Sequence, residues 1–186
     1  MCLWEHFALS QFHFLFLLCK TAHRYLHHLN QDNILFIGSS GVGKTHLATA
    51  IGMEASSKRV STYFIHFQTL MTKIKKAVSE GRVDSLIKNY SKYKLLIIDE
   101  IGYLPIDKEY ASIFFQLIAA RYERHSTIIT TNQPLSKWGD VFGDPVLANA
   151  IIDRLVHHST IIKITGKSYR IKDLIQEDFD NKVLEL

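Results

Sequence analysis

The sequence predicts an α/β fold, a single domain with helices packed on a five-stranded parallel sheet, and three observations carry that expectation. Five short apolar or β-branched runs, at residues 33–37, 60–67, 95–98, 127–131 and 160–164, alternate with stretches of helical spacing. The run Leu95-Leu96-Ile97-Ile98 is apolar at every position instead of alternating, the pattern of a strand covered on both faces. The chain's 186 residues are 47% hydrophobic with a formal charge of only +4. That length supports one core burying roughly 70% of the unfolded surface without a disulfide or structural metal.

The same arithmetic excludes disorder, collagen and coiled coil as descriptions of the whole chain. Cys2 and Cys19 both lie in the first twenty residues, so the main body holds neither a disulfide framework nor a Cys-based zinc site. A pI near 9.0 points to an anionic partner, but an excess of four charges is modest.

Residues 12–19, FHFLFLLC, form a strongly apolar stretch near the N-terminus. They are too short and too interrupted, by Glu5, His6, Ser10 and Gln11 before, His13 within and the Lys20 to Arg24 segment after, for a spanning helix. A positive n-region and a small-residue cleavage site are also missing, so no membrane association is expected and the chain is read as cytoplasmic. Residues 1–31 are an atypical apolar, helical segment. It is either a short helix that packs on the domain or a partner, or a leader left by truncation. Residues 32–186 form the folded domain.

The first strand, Asn33-Ile34-Leu35-Phe36-Ile37, runs directly into a Gly-rich segment. Leu47, Ala48, Ile51 and Ala55 then set a helical stripe over residues 45–57. The β-branched and aromatic run VSTYFIHF at 60–67 is the second strand, followed by a helix marked by Leu70, Met71, Ile74, Ala77 and Val78. The third strand closes on Asp99-Glu100, and helical spacing resumes over 110–122. The fourth strand, 127–131, ends at Asn132, and a helix over 146–157 leads to the fifth. Strands separated by helices imply right-handed crossovers and ligand binding at the carboxyl ends of the strands, where Asp99, Glu100 and Asn132 all fall.

Gly38-Ser39-Ser40-Gly41-Val42-Gly43-Lys44-Thr45 fits the pattern G-x-x-x-x-G-K-[ST] and stands between a buried strand and a helix. Its backbone amides and the helix N-terminus suit a phosphate chain. Lys44 reaches the β and γ phosphates, and the Thr45 hydroxyl suits Mg²⁺. The expected ligands are a nucleoside triphosphate and Mg²⁺. The carboxylate of Asp99 falls beside the phosphates as a second holder of Mg²⁺, and Glu100 follows as the base that activates water. The alternative for this acidic pair is an ordinary strand cap before Gly102. Asn132 offers an amide to the attacking water or the γ phosphate, or else serves only as a turn residue before Pro134.

These residues, with Thr130-Thr131-Asn132 and the segment Asn149 to Leu155, resemble the AAA+ ATPases. Within them they resemble the IstB/DnaC-like family of transposition helpers and helicase loaders. The likeness runs over about residues 32–175. It includes Ile98 to Pro105, read DEIGYLP from Asp99, and Gly166-Lys167-Ser168-Tyr169-Arg170. The resemblance implies a P-loop three-layer sandwich with no substantial C-terminal lid. It also implies ATP hydrolysis between subunits of a homo-oligomer, with Asn132 as γ-phosphate sensor, Arg154 as the finger donated to a neighbour, and Arg170 as a second sensor. Family members carry a longer helical region ahead of this core, so the chain reads as a shortened copy.

The resemblance further implies ATP-dependent assembly on DNA in aid of a transposase. Lys73, Lys75, Lys76 and Arg82 cluster where they suit sequence-neutral phosphate contacts, with a solvated helix face as the alternative. Two other readings stay open: a loader of a replicative helicase, and a nucleotide-binding interaction module that does not turn over. The histidine groups His23/His27/His28 and His157/His158 lack a carboxylate or Cys at a known ligand spacing, so no metal beyond Mg²⁺ is expected.

Overall fold

The computed structural model describes residues 31–102, 105–166, 168 and 169. The expectations for the N-terminal segment up to residue 30, for Tyr103 and Leu104, and for Arg170 and the short C-terminal end lie outside the described residues.

Five strands form one parallel sheet: β1 (Asn33–Gly38), β2 (Thr62–His66), β3 (Leu95–Ile101), β4 (Ser126–Thr131) and β5 (Ser159–Ile164), in the order β2-β3-β4-β1-β5. Helix α1 (Lys44–Ser57) joins β1 to β2. Helices α2 (Phe67–Ser79) and α3 (Val83–Ser91) join β2 to β3, and α4 (Lys108–Arg121) joins β3 to β4. A 3₁₀ turn (Leu135–Lys137), α5 (Trp138–Phe142) and α6 (Pro145–Val156) precede β5.

The strand order decides which face each helix covers. From β1 the chain steps across the sheet to the β2 edge, and every later connection moves back the other way. Crossovers of one hand therefore place α1 on one face and the remaining helices on the other. The two cores follow. Ile34, Phe36, Leu95, Ile97 and Ile128 pack on Ala48, Ile51 and Ala55 of α1. Their neighbours Leu35, Leu96, Ile98 and Ile129 point the opposite way, into the larger core formed with Leu70, Phe114, Leu117, Phe142 and Ile151. Each buried Leu, Ile or Phe contributes about 1.5–3 kcal/mol of transfer free energy, so covering both faces of the central strands specifies the register strongly.

The structure departs from the sequence expectation at β2, at β3, which runs on through Asp99 and Glu100 to Ile101, and in two short helices. The second strand is shorter than the run 60–67, because Phe67 opens α2 and packs edge-on against Phe114 at 5.4 Å. The sequence reading also passes over α3 and α5. Val83, Leu86, Ile87 and Tyr90 do have helical spacing, but nine residues are marginal as an isolated helix and hold their shape by docking on the larger core.

Two polar groups lock the base of the sheet. Asn33, buried, donates through Nδ2 to the Leu155 carbonyl at 3.1 Å and accepts from the Thr127 amide at 2.9 Å. Arg121, 1% exposed, donates to the carbonyls of Tyr90 and Tyr93 at 2.9 and 2.8 Å, to Thr127 Oγ1 at 3.0 Å and to the Ser126 carbonyl. Burial pushes its guanidinium down to about 9.

Candidate functional site

The Gly-rich loop occupies the carboxyl end of β1, between its two neighbours in the sheet. Gly41 and Gly43 hold φ of +78° and +94°, and a side chain on Gly41 would run into Ser168. Only glycine fits both demands, and the turn it permits leads into the N-terminus of α1. Lys44, 8% exposed, donates to the carbonyls of Gly38 and Ser39 at 2.8 and 2.7 Å, so its ammonium lies across the loop. The Tyr169 amide donates to the Gly41 carbonyl at 3.0 Å, which brings the segment after β5 against the loop. Arg170 is the next residue in sequence and lies outside the described residues.

Asp99 is fully buried and faces this loop from β3. The Thr45 hydroxyl donates to its carboxylate, 3.0 and 3.2 Å from the two oxygens, and the Thr130 hydroxyl donates to Oδ1 at 2.6 Å. A hydroxyl and a carboxylate set side by side are hard oxygen donors, the kind Mg²⁺ selects. The pair Thr45 and Asp99 therefore fits that ion.

Glu100 arrives at the site by a local irregularity. On a regular strand, consecutive residues point to opposite faces, so Asp99 and Glu100 would not share one. Here Ile98 pairs with Ile129 and Ile101 with Thr131, leaving Asp99 and Glu100 opposite Thr130 alone. That β-bulge puts Glu100 at φ +66°, and its amide donates to Thr130 Oγ1 at 2.9 Å. The carboxylates of Asp99 and Glu100 and a ring nitrogen of His66 then lie within 4.8 Å of one another. A left-handed conformation costs a non-glycine residue about 1–2 kcal/mol, a strain of the kind that collects at functional sites.

Three contributors escaped the sequence reading. Thr130 holds both acids with one hydroxyl. The bulge re-aims Glu100. His66, at the end of β2 and paired in register with Asp99, places Nδ1 3.3 Å from Asp99 Oδ2. None has a sequence signal of its own, since each depends on which strands are neighbours.

Asn132 follows β4, which neighbours β3 in the sheet. Its Oδ1 is buried and without a hydrogen-bond partner, an orphan that a ligand group or water on this side of the sheet would satisfy. Arg154 lies elsewhere. It sits near the end of α6, which feeds the amino end of β5, whereas the phosphate loop follows the carboxyl end of β1 next to it. Its guanidinium donates to the Ala150 carbonyl at 3.0 Å and covers the Phe115 ring at 4.5 Å. The structure does not bring Arg154 to its own chain's phosphate loop.

The four basic residues are not equivalent. Lys73 donates to the hydroxyls of Tyr90 and Tyr63 at 3.1 and 3.4 Å, and the Tyr90 hydrogen bond raises its ammonium above the ordinary lysine value. Lys76 and Arg82 both pair with Glu80, while Lys75 is exposed on the same helix. No helix among the described residues is long and apolar enough to cross a membrane.

The family model described as IstB-like ATP binding protein matches residues 22–177. "Insertion sequence IS232 putative ATP-binding protein" from Bacillus thuringiensis subsp. berliner is 59% identical over 150 residues, which cover 81% of this chain and 60% of that protein. "Insertion sequence IS5376 putative ATP-binding protein" from Geobacillus stearothermophilus is 46% identical over 143 residues, covering 77% of this chain and 57% of that protein. The chain thus spans 60% or less of the length of these curated relatives. Among solved structures, the DnaC helicase loader superposes with a TM-score of 0.66 at 25% identity, covering 78% of this chain and 86% of that one. AMPPCP-bound DnaA from Aquifex aeolicus superposes with a TM-score of 0.67 at 19% identity, covering 87% of this chain and 49% of that one, a likeness of fold. The sheet and its phosphate loop are those of an AAA+ P-loop domain.

Proposed function

The chain belongs to the IstB-like ATP-binding protein family, and from that premise we propose that it is a cytoplasmic, Mg²⁺-dependent ATPase that assembles on DNA and assists a transposase. The observation that carries the reading is the pair of acids: Asp99 held by Thr45 beside the phosphate loop, and Glu100 turned to the same side by the bulge.

In this reading the amides of Gly38 to Thr45 and the Lys44 ammonium bind and orient the triphosphate of ATP. Thr45 and Asp99 hold Mg²⁺, whose charge when bound offsets that of the phosphates. Glu100 accepts a proton from the water that attacks the γ phosphorus, and ADP departs as the leaving group. Asn132 orients that water or the γ phosphate, and Arg170 contacts the nucleotide. Arg154 lies too far from its own loop to take part, because β1, six residues long, separates the two ends of the sheet by roughly 16 Å. Supplied by a neighbouring protomer, it would neutralise charge in the transition state, which makes turnover depend on a homo-oligomer. Lys75, joined by Lys73, Lys76 and Arg82 where their partners release them, makes salt-dependent, sequence-neutral contacts to DNA.

A second client is favoured by one observation, the likeness to the DnaC helicase loader over 86% of that chain. Pull-down with a transposase encoded beside this chain and with a replicative helicase separates the two.

Phosphate release with ATP, Mg²⁺ and duplex DNA tests the chemistry. Lys44→Ala should abolish nucleotide binding. Glu100→Gln should bind and assemble without turnover. Arg154→Ala should bind without turnover, and mixing it with Glu100→Gln subunits should restore activity if the sites are shared. ATP binding with no phosphate release at any protein concentration, with or without DNA, would sink the ATPase reading in favour of a binding module.

A further inference from the structure

At the end of the sheet opposite the phosphate loop, three side chains from two separate turns converge. Glu123 lies between α4 and β4, and His157 and His158 lie between α6 and β5. Glu123 Oε1 is 3.8 Å from His157 Nδ1 and 3.6 Å from His158 Nε2, and one ligand atom from each of the three falls within 4.8 Å of the others. The spacing of the histidines along the chain offered no carboxylate. The fold supplies one.

From this geometry we infer that Glu123, His157 and His158 form a binding site for a zinc-class divalent ion. Two imidazoles and one carboxylate are a borderline donor set, suited to zinc and poorly suited to Mg²⁺. Bonds of about 2.0–2.1 Å in a tetrahedron separate neighbouring ligand atoms by roughly 3.3–3.4 Å. The two Glu123–histidine separations exceed that by a few tenths of an ångström and the ligand atoms of His157 and His158 lie within 4.8 Å of each other, gaps that rotations of these exposed side chains close. The fourth corner faces solvent and takes water. The Tyr122 hydroxyl, 2.6 Å from His157 Nδ1, is the neighbour the ion would displace.

The backbones beneath these side chains are already fixed. His158 accepts from the Asn33 amide at 2.7 Å, and the His157 amide donates to Asp153 at 3.0 Å. The turn carrying Glu123 is closed by amides of Arg124 and His125 donating to the Arg121 carbonyl at 3.0 Å each, with Glu123 itself at φ +55°. An ion there staples the turn after α4 to the end of α6, the helix that carries Arg154. The site lies apart from the phosphate loop, so its test is independent of the ATPase reading.

The test uses the full chain, stripped with chelator and titrated with Co²⁺ followed by visible absorption, then with Zn²⁺ by calorimetry. Glu123→Gln, His157→Ala and His158→Ala are measured alongside. Urea unfolding and binding of a fluorescent ATP analogue verify that each variant is folded. One saturable site per chain is expected, with Zn²⁺ displacing Co²⁺ and each substitution weakening binding about tenfold or more at unchanged unfolding midpoint. No saturable Co²⁺ spectrum, or a spectrum that any one of the three substitutions leaves unchanged, overturns the assignment.

Discussion

Replacing Thr130 by valine removes one hydroxyl from the centre of the site and keeps the shape of the side chain. That hydroxyl is fully buried, donates to Asp99 at 2.6 Å and accepts from the Glu100 amide at 2.9 Å. The bond to a buried carboxylate is worth about 1.5–3 kcal/mol and the bond from the amide about 0.5–1.5 kcal/mol. Thr130→Val should therefore lower unfolding stability by about 2–4.5 kcal/mol. Loosening the carboxylate that faces Thr45 should also raise the Mg²⁺ concentration needed for ATP-analogue binding by about 10–100-fold, as for other groups that orient metal ligands. Urea unfolding gives the first quantity, and Mg²⁺ titration at fixed analogue gives the second. Thr130→Ser, which restores the hydroxyl and drops only a methyl, should recover the Mg²⁺ dependence. If Thr130→Val stays within about 0.5 kcal/mol of the parent and its Mg²⁺ dependence does not move, the hydroxyl does not hold the acids and the reasoning fails.

Glu100→Gly should raise stability by up to about 1 kcal/mol in urea, because glycine adopts φ +66° without strain, while phosphate release disappears; a loss of stability would show that the bulge is held by the Glu100 side chain. Arg121→Leu leaves the carbonyls of Tyr90, Tyr93 and Ser126 without their donor and should cost about 3 kcal/mol, lowering the thermal midpoint by about 6–12 °C in calorimetry. Asp144 caps α6 by accepting from the Val146 and Leu147 amides, and the Lys108 ammonium 2.7 Å away, helped by those amides, holds its carboxyl below the usual carboxylate range. A lowered folded-state value means its contribution is fully present above about pH 4 and is lost as pH falls through that lowered value. Asp144→Ala should therefore lower the thermal midpoint by a few degrees at neutral pH, and the difference from the parent should vanish in strong acid.

The five strands and the phosphate loop were legible along the chain because each is a local pattern: an apolar run flanked by helical spacing, and glycines set before Lys44 and Thr45. The expected ends of the strands moved by a few residues at most, since burial on two faces leaves little choice of which residues are inside. Two short helices were not legible, because nine or five residues have no helical preference strong enough to read and are held by what they dock against. The site was legible as a set of residue types and not as an arrangement. That Asp99 meets Thr45 follows from the loop of β1 lying near the end of β3, a matter of strand order. That Glu100 turns toward Asp99 instead of away depends on one extra residue in the β3–β4 register, and that Thr130 and His66 touch Asp99 depends on β4 and β2 flanking β3. The meeting of Glu123 with His157 and His158 has the same origin. Local order is written in the sequence through side-chain period and turn chemistry, whereas contacts between distant residues arise only when burying both faces of the sheet selects a single strand order.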